Sequence, residues 1–185
     1  MAVLVEGGLV LLAIALAWLF GISLAEQLPA DGPTFAQAMG RGLLAAAAML
    51  AVFFGLYHLP FAEFRRLREQ VEWLVSELFP AGNPAQFALV ALLAGIGEEL
   101  LFRGVLQTLL SGWTSPTVGL VLASLLFGLA HTVSRLYFIL ATLIGLLLGG
   151  LTMQFNDLAA PIIAHAVYDL VALAYLARSR RNRGV

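Results

Sequence analysis

Glu98, Glu99 and Arg103 lie in AGIGEELLFRG, residues 94–104, inside a long apolar stretch. Further along, FGLAH ends in His131, and HAVYD places His165 and Asp169 four residues apart. Residues i and i+4 share a helix face, whereas i and i+1 lie about 100° apart. Glu99 and Arg103 therefore form a favourably oriented i, i+4 ion pair that anchors their helix. Glu98 points elsewhere and has no local counter-charge. A desolvated, unpaired glutamate suits proton transfer. Two histidines, a free glutamate and an aspartate admit two chemistries. They would hold a divalent metal such as Zn through N and O ligands, the set being Glu98, His131, His165 and Asp169. Alternatively, with no cofactor, Glu98 and His131 would activate a water while His165 and Asp169 orient it or stabilise an oxyanion. A third reading is purely structural, with both glutamates paired to Arg103 or to a histidine for assembly.

Several chemistries are excluded. The chain has no cysteine, which removes disulfides, thiolate metal sites and a Cys nucleophile. No HExxH and no G-x-S-x-G occurs, so neither a helix-borne zinc-protease motif nor a nucleophile elbow is present. Ser124, Thr132, Ser134, Thr142 and Thr152 stand at no i, i+4 spacing from His131. The net charge is −1, so no global field argues for nucleic acid. His58, beside Pro60, is an interfacial residue, and Asp157 either caps a helix or faces water.

These polar residues need a scaffold, and composition says what it is. Of 185 residues, 61% are hydrophobic and only 11% charged. Mean hydropathy is +0.94. A soluble domain carries about twice that charge. The expected fold is all-α, a single polytopic membrane bundle over 1–185 with about six transmembrane helices and one amphipathic surface helix. A span needs roughly 20 apolar residues. Candidates are 3–25, 35–59, 85–110, 116–134, 136–153 and 158–177. Between the second and third, 61–84 holds seven charges, with Phe64, Leu67, Val71, Leu74, Val75 and Leu78 at helical spacing. Residues 1–84 thus supply two N-terminal spans and the surface helix. Glu6 stands where a cleaved signal would be positive, so the first run is expected as a retained helix. Gly145, Gly149 and Gly150 suit close helix packing.

All ten basic residues are arginine, which hints at a GC-rich prokaryotic genome. With six spans, Arg65, Arg66, Arg68, Arg135, Arg178, Arg180, Arg181 and Arg183 fall on one side, and Arg41 lies near the other. The positive-inside rule then makes both termini cytoplasmic. The expected location is a bacterial inner membrane, with membrane lipid and a membrane-associated peptide or protein as partners. Composition leaves the oligomeric state open.

Glu98-Glu99-x-x-x-Arg103, Phe127-x-x-x-His131 and His165-x-x-x-Asp169 occur in that order on three hydrophobic blocks. The set resembles the CPBP family of intramembrane proteases, which includes CAAX prenyl endopeptidases, lysostaphin-resistance-like and bacteriocin-immunity proteins. The resemblance covers roughly 85–180, about half the chain. It implies a peptidase core in which Glu98 and His131 activate the attacking water and His165 and Asp169 support the oxyanion. Glu99 and Arg103 would be supporting residues. Both a metal-dependent and a metal-free glutamate mechanism fit the family. A non-catalytic scaffold or immunity protein is the main competing reading. An ion or proton relay through the buried Glu and His is the other, though no inverted repeat accompanies it.

Overall fold

Helix boundaries follow local chemistry in the computed structural model, which describes residues 1–80 and 82–183, with side-chain surroundings as far as Ser179. α1 spans Ala2–Leu19 and stops where Gly21 turns back at φ +67°. The expected first span ran to residue 25. Instead Ala25–Gln27 forms a separate 3-10 turn, because the left-handed glycine breaks the ladder first. α2 (Gly32–Tyr57) opens on a capping box, Asp31 accepting from the Thr34 N–H at 2.8 Å, with Pro33 in the first turn. α3 is Ala62–Leu78. α4 (Pro84–Glu99) starts at Pro84, with Asn83 accepting from the Ala85 N–H. It continues without a break into a π-helical stretch, Leu100–Gln107, and then α5, Thr108–Trp113. α6 (Pro116–Ala130) begins behind the Ser115 cap, α7 (Arg135–Phe155) behind Ser134, and α8 runs Ala159–Arg183. Asp157 takes the capping role, accepting from the Ala159 N–H at 2.7 Å.

The protein is an all-helical integral membrane bundle. α1, α2, α7 and α8 are long and apolar enough to cross a membrane, α8 over Ala159–Ser179. Their outer faces carry lipid-suited side chains, such as Leu4, Trp18 and Leu44 at 75% or more exposure. The 84–113 rod holds buried Glu98, Glu99 and Arg103. α6 is apolar but only 15 residues long, roughly 22 Å. The expected 116–134 span is thus overlong, since His131 already ends the helix and residues 131–134 turn into α7.

α3 behaves as an amphipathic cover. Val75 and Phe79 are buried against Phe87, Val90 and Leu176, while Trp73 and Leu78 face outward. Its Glu72 is buried and accepts from the Tyr57 hydroxyl at 2.6 Å, which ties α3 to the end of α2. The side chains of Arg180, Arg181 and Arg183, part of the expected positive face, lie outside those described.

α2 packs along α8, α1 along α4, and α6 along α7. A Cβ on Gly145 would meet Ser124 at 3.1 Å, and one on Gly149 would meet Gln107 at 2.5 Å. Gly150, expected to serve likewise, has open space beside it. Gly97 matters most. A Cβ there would lie 2.9 Å from the Glu6 carbonyl oxygen, a backbone atom that cannot rotate away. Gly97→Ala is expected to push α1 off α4 and cost about 1–3 kcal/mol of stability. Thermal unfolding in detergent checks this, with Gly7→Ala, where nothing lies within 4 Å, as the reference.

Candidate active site

Six polar side chains from three helical rods converge around Phe127. Glu98 and Glu99 end α4, Arg103 lies on the π-helical stretch, His131 caps α6, and His165 and Asp169 lie on α8. Phe127 is buried against three of them. Arg103 lies over its face at 4.3 Å, His131 stacks on it at 4.4 Å between centroids, and the edge of His165 approaches at 5.9 Å. The aromatic ring therefore acts as the wall that sets both imidazoles and the guanidinium.

Two sub-networks divide the work. The inner one is fully buried. Arg103 donates to Glu99 Oε1 at 3.0 Å and to the Gly145 carbonyl at 3.3 Å. The same Glu99 oxygen accepts from His165 Nδ1 at 2.7 Å. Side-chain exposures are 1% for Arg103 and 0% for Glu99. Glu99 thereby locks α4, the π stretch and α8 together, and it fixes the His165 ring so that Nε2 faces Asp169 Oδ2 at 3.4 Å.

The outer network is half open. His131 and Asp169 keep 26% and 27% of their side chains exposed. His131 Nδ1 lies 2.8 Å from the Phe127 carbonyl, which only accepts, so Nδ1 carries the hydrogen. In the neutral ring Nε2 is then an acceptor. It stands 3.3 Å from Glu98 Oε2, close but off the hydrogen-bond direction, and that oxygen is buried with no hydrogen-bond partner. With the ring neutral, both atoms offer lone pairs and neither has a donor; with the ring protonated, Nε2–H faces the carboxylate. Beside the neutral ring, a water seated against both atoms would supply the donors.

Metal binding needs donors aimed at one point. Among the described residues, no three His, Asp or Glu side chains are so arranged. Each histidine nitrogen that faces the site is turned to a carboxylate instead. In this conformation Glu98, His131, His165 and Asp169 do not assemble as a ligand set.

One further carboxylate belongs here. Glu6, on α1, has a buried Oε2 with no partner, and the charges of Glu98, Asp169, His131 and His165 all act on it. Sequence reasoning used Glu6 only to judge the N-terminus, since nothing in local spacing links position 6 to position 98. The signal available was a lone acid within an otherwise apolar first span.

Residues 80–171 match the family model described as type II CAAX prenyl endopeptidase Rce1-like. The chain belongs to the Rce1-like family through this segment. The matched stretch holds all six clustered polar residues, while α1, α2 and α3 lie before it. Rce1-like proteins form a protease family, and their typical substrate is a membrane-associated protein. The chain is also similar to the uncharacterized protein YpbD of Bacillus subtilis, 35% identical over 114 residues, covering 55% of this chain and 56% of that relative. It thus spans about half the length of the curated relative it matches. No solved structure matches it.

Proposed function

We propose that this Rce1-like protein is an intramembrane endopeptidase that hydrolyses a peptide bond of a membrane-associated protein or peptide. The observation that carries the reading is Glu98 Oε2, buried and without a hydrogen-bond partner beside His131 Nε2, in a cluster open on one side. A water there would lose its proton to Glu98, with His131 sharing the load, and its oxygen would add to the scissile carbonyl carbon. The resulting oxyanion needs a donor. His165 Nε2 or Asp169 must present a proton for this, and the Glu99 carboxylate on Nδ1 steadies a positively charged His165 ring. Collapse breaks the C–N bond, and the acquired proton passes to the leaving amine. Glu99 and Arg103 touch no reacting atom and act as positioning residues.

The whole chain is read as one transmembrane domain in a bacterial cytoplasmic membrane. Both termini face the cytoplasm, the side where α3 and most arginines lie. Purified protein incubated with a lipid-anchored peptide library tests the activity. Cleavage by wild type and its loss in His131→Ala are expected, and equal cleavage by both would sink the assignment. The paired donors further predict that a chelator leaves cleavage intact. Loss on chelation with recovery on added Zn²⁺ would instead show that the donors rearrange around an ion.

A further inference from the structure

Glu6 does no work in the hydrolysis described above, yet the fold brings it to the site. Gly97, next to Glu98, leaves room for the α1 backbone at Glu6 within contact of α4. Leu9 and Leu16 of α1 pack on the core that holds Phe102 and Phe127, so α1 lies against the same cluster. Three carboxylates here, Glu6, Glu98 and Asp169, share two imidazoles, His131 and His165. Arg103 is committed to Glu99 and buried away. Glu6, Glu98 and Asp169 have no arginine partner among the described residues; His131 and His165 face them, and Tyr137 and Tyr168 lie beside Asp169 as neutral phenols. Oε2 of both Glu6 and Glu98 is buried without a hydrogen-bond partner. Buried unpartnered acceptors are uncommon in folded proteins and call for a donor.

We propose that Glu6 is a specificity residue that selects substrates carrying a cationic side chain close to the scissile bond. The proposal rests on the peptidase reading. A lysine or arginine entering beside α1 would supply the missing hydrogen atoms and counter-charge together. A substrate whose own acidic group, or free C-terminal carboxylate, falls there would meet like charge. Discrimination then comes as much from repulsion as from attraction. With an effective dielectric constant near 20, one such charge about 6–10 Å away changes kcat/KM by about tenfold to hundredfold.

The test uses the full chain in vesicles and a lipid-anchored peptide library split into two pools. The positions flanking the randomised centre are all Arg in one pool and all Glu in the other. Wild type is expected to cleave the Arg pool at least tenfold faster. Glu6→Gln should shrink that ratio about tenfold, and Glu6→Lys should invert it. Glu6→Gln should also melt no lower than wild type, because it replaces a carboxyl whose buried Oε2 has no hydrogen-bond partner. A ratio unchanged in both variants overturns the proposal while cleavage itself continues. Cleavage of neither pool by wild type, or equal cleavage by wild type and Glu98→Gln, overturns the peptidase reading and this proposal with it.

Discussion

Glu98→Gln is expected to lower kcat/KM by about 10²–10⁴-fold, the range for loss of a positioned proton acceptor, while stability holds or rises. The two halves of that expectation have one cause. Glu98 is 6% exposed and its Oε2 has no hydrogen bond, with only the His131 ring 3.3 Å away to offset its burial. An amide of the same shape removes the charge, and its NH₂ group can donate to His131 Nε2. Strain relieved at a working group is the usual form of the trade between stability and activity. Peptide cleavage and thermal unfolding on the same detergent sample check both halves. Lost activity together with a lower melting temperature would make Glu98 a structural residue. Retained activity would remove it from the chemistry.

Arg103→Met is expected to do the reverse, destabilising by about 3–5 kcal/mol through the loss of one partner from a buried pair. That is a large share of a typical domain's total of about 5–15 kcal/mol. The guanidinium answers Glu99 and the Gly145 carbonyl and covers the Phe127 ring, and methionine replaces only the packing. Adding Glu99→Leu should restore part of the loss, because it removes the stranded carboxylate. Recovery should be incomplete, since His165 Nδ1–H then loses its acceptor. A chemical-unfolding double-mutant cycle in micelles measures this. Additive losses would mean that Glu99 and Arg103 do not act as a pair.

Much of the site was legible because its pairs are local. Glu99 with Arg103, and His165 with Asp169, are four residues apart, and helical periodicity alone puts each pair on one face. The separation of Glu98 from Glu99 by about 100° likewise anticipated two networks. What spacing does not contain is tertiary direction. That His165 would reach Glu99 across 66 residues depends on how α8 leans on α4. Glu6 was invisible as a site residue for the same reason. The π-helical turn in LLFRGVLQ was hidden differently, since that stretch has no proline and reads as ordinary helix. Helix ends were misjudged at Gly21 and His131, where hydropathy continues past the point at which the backbone turns.

The shortness of α6 reaches beyond the protein. A rod of roughly 22 Å falls about 8 Å short of a hydrocarbon layer near 30 Å thick. On the proposed six-span topology, lipid beside it would thin or headgroups would sink toward His131, and mismatch of this kind costs fractions of a kcal/mol per ångström. The surrounding leaflet would then become part of the entrance. A polypeptide lying among headgroups would reach the histidine by a shallow descent, without dragging its amide groups to the midplane. Membrane thickness, set by the cell's acyl chains, would then tune access to this site from outside the fold.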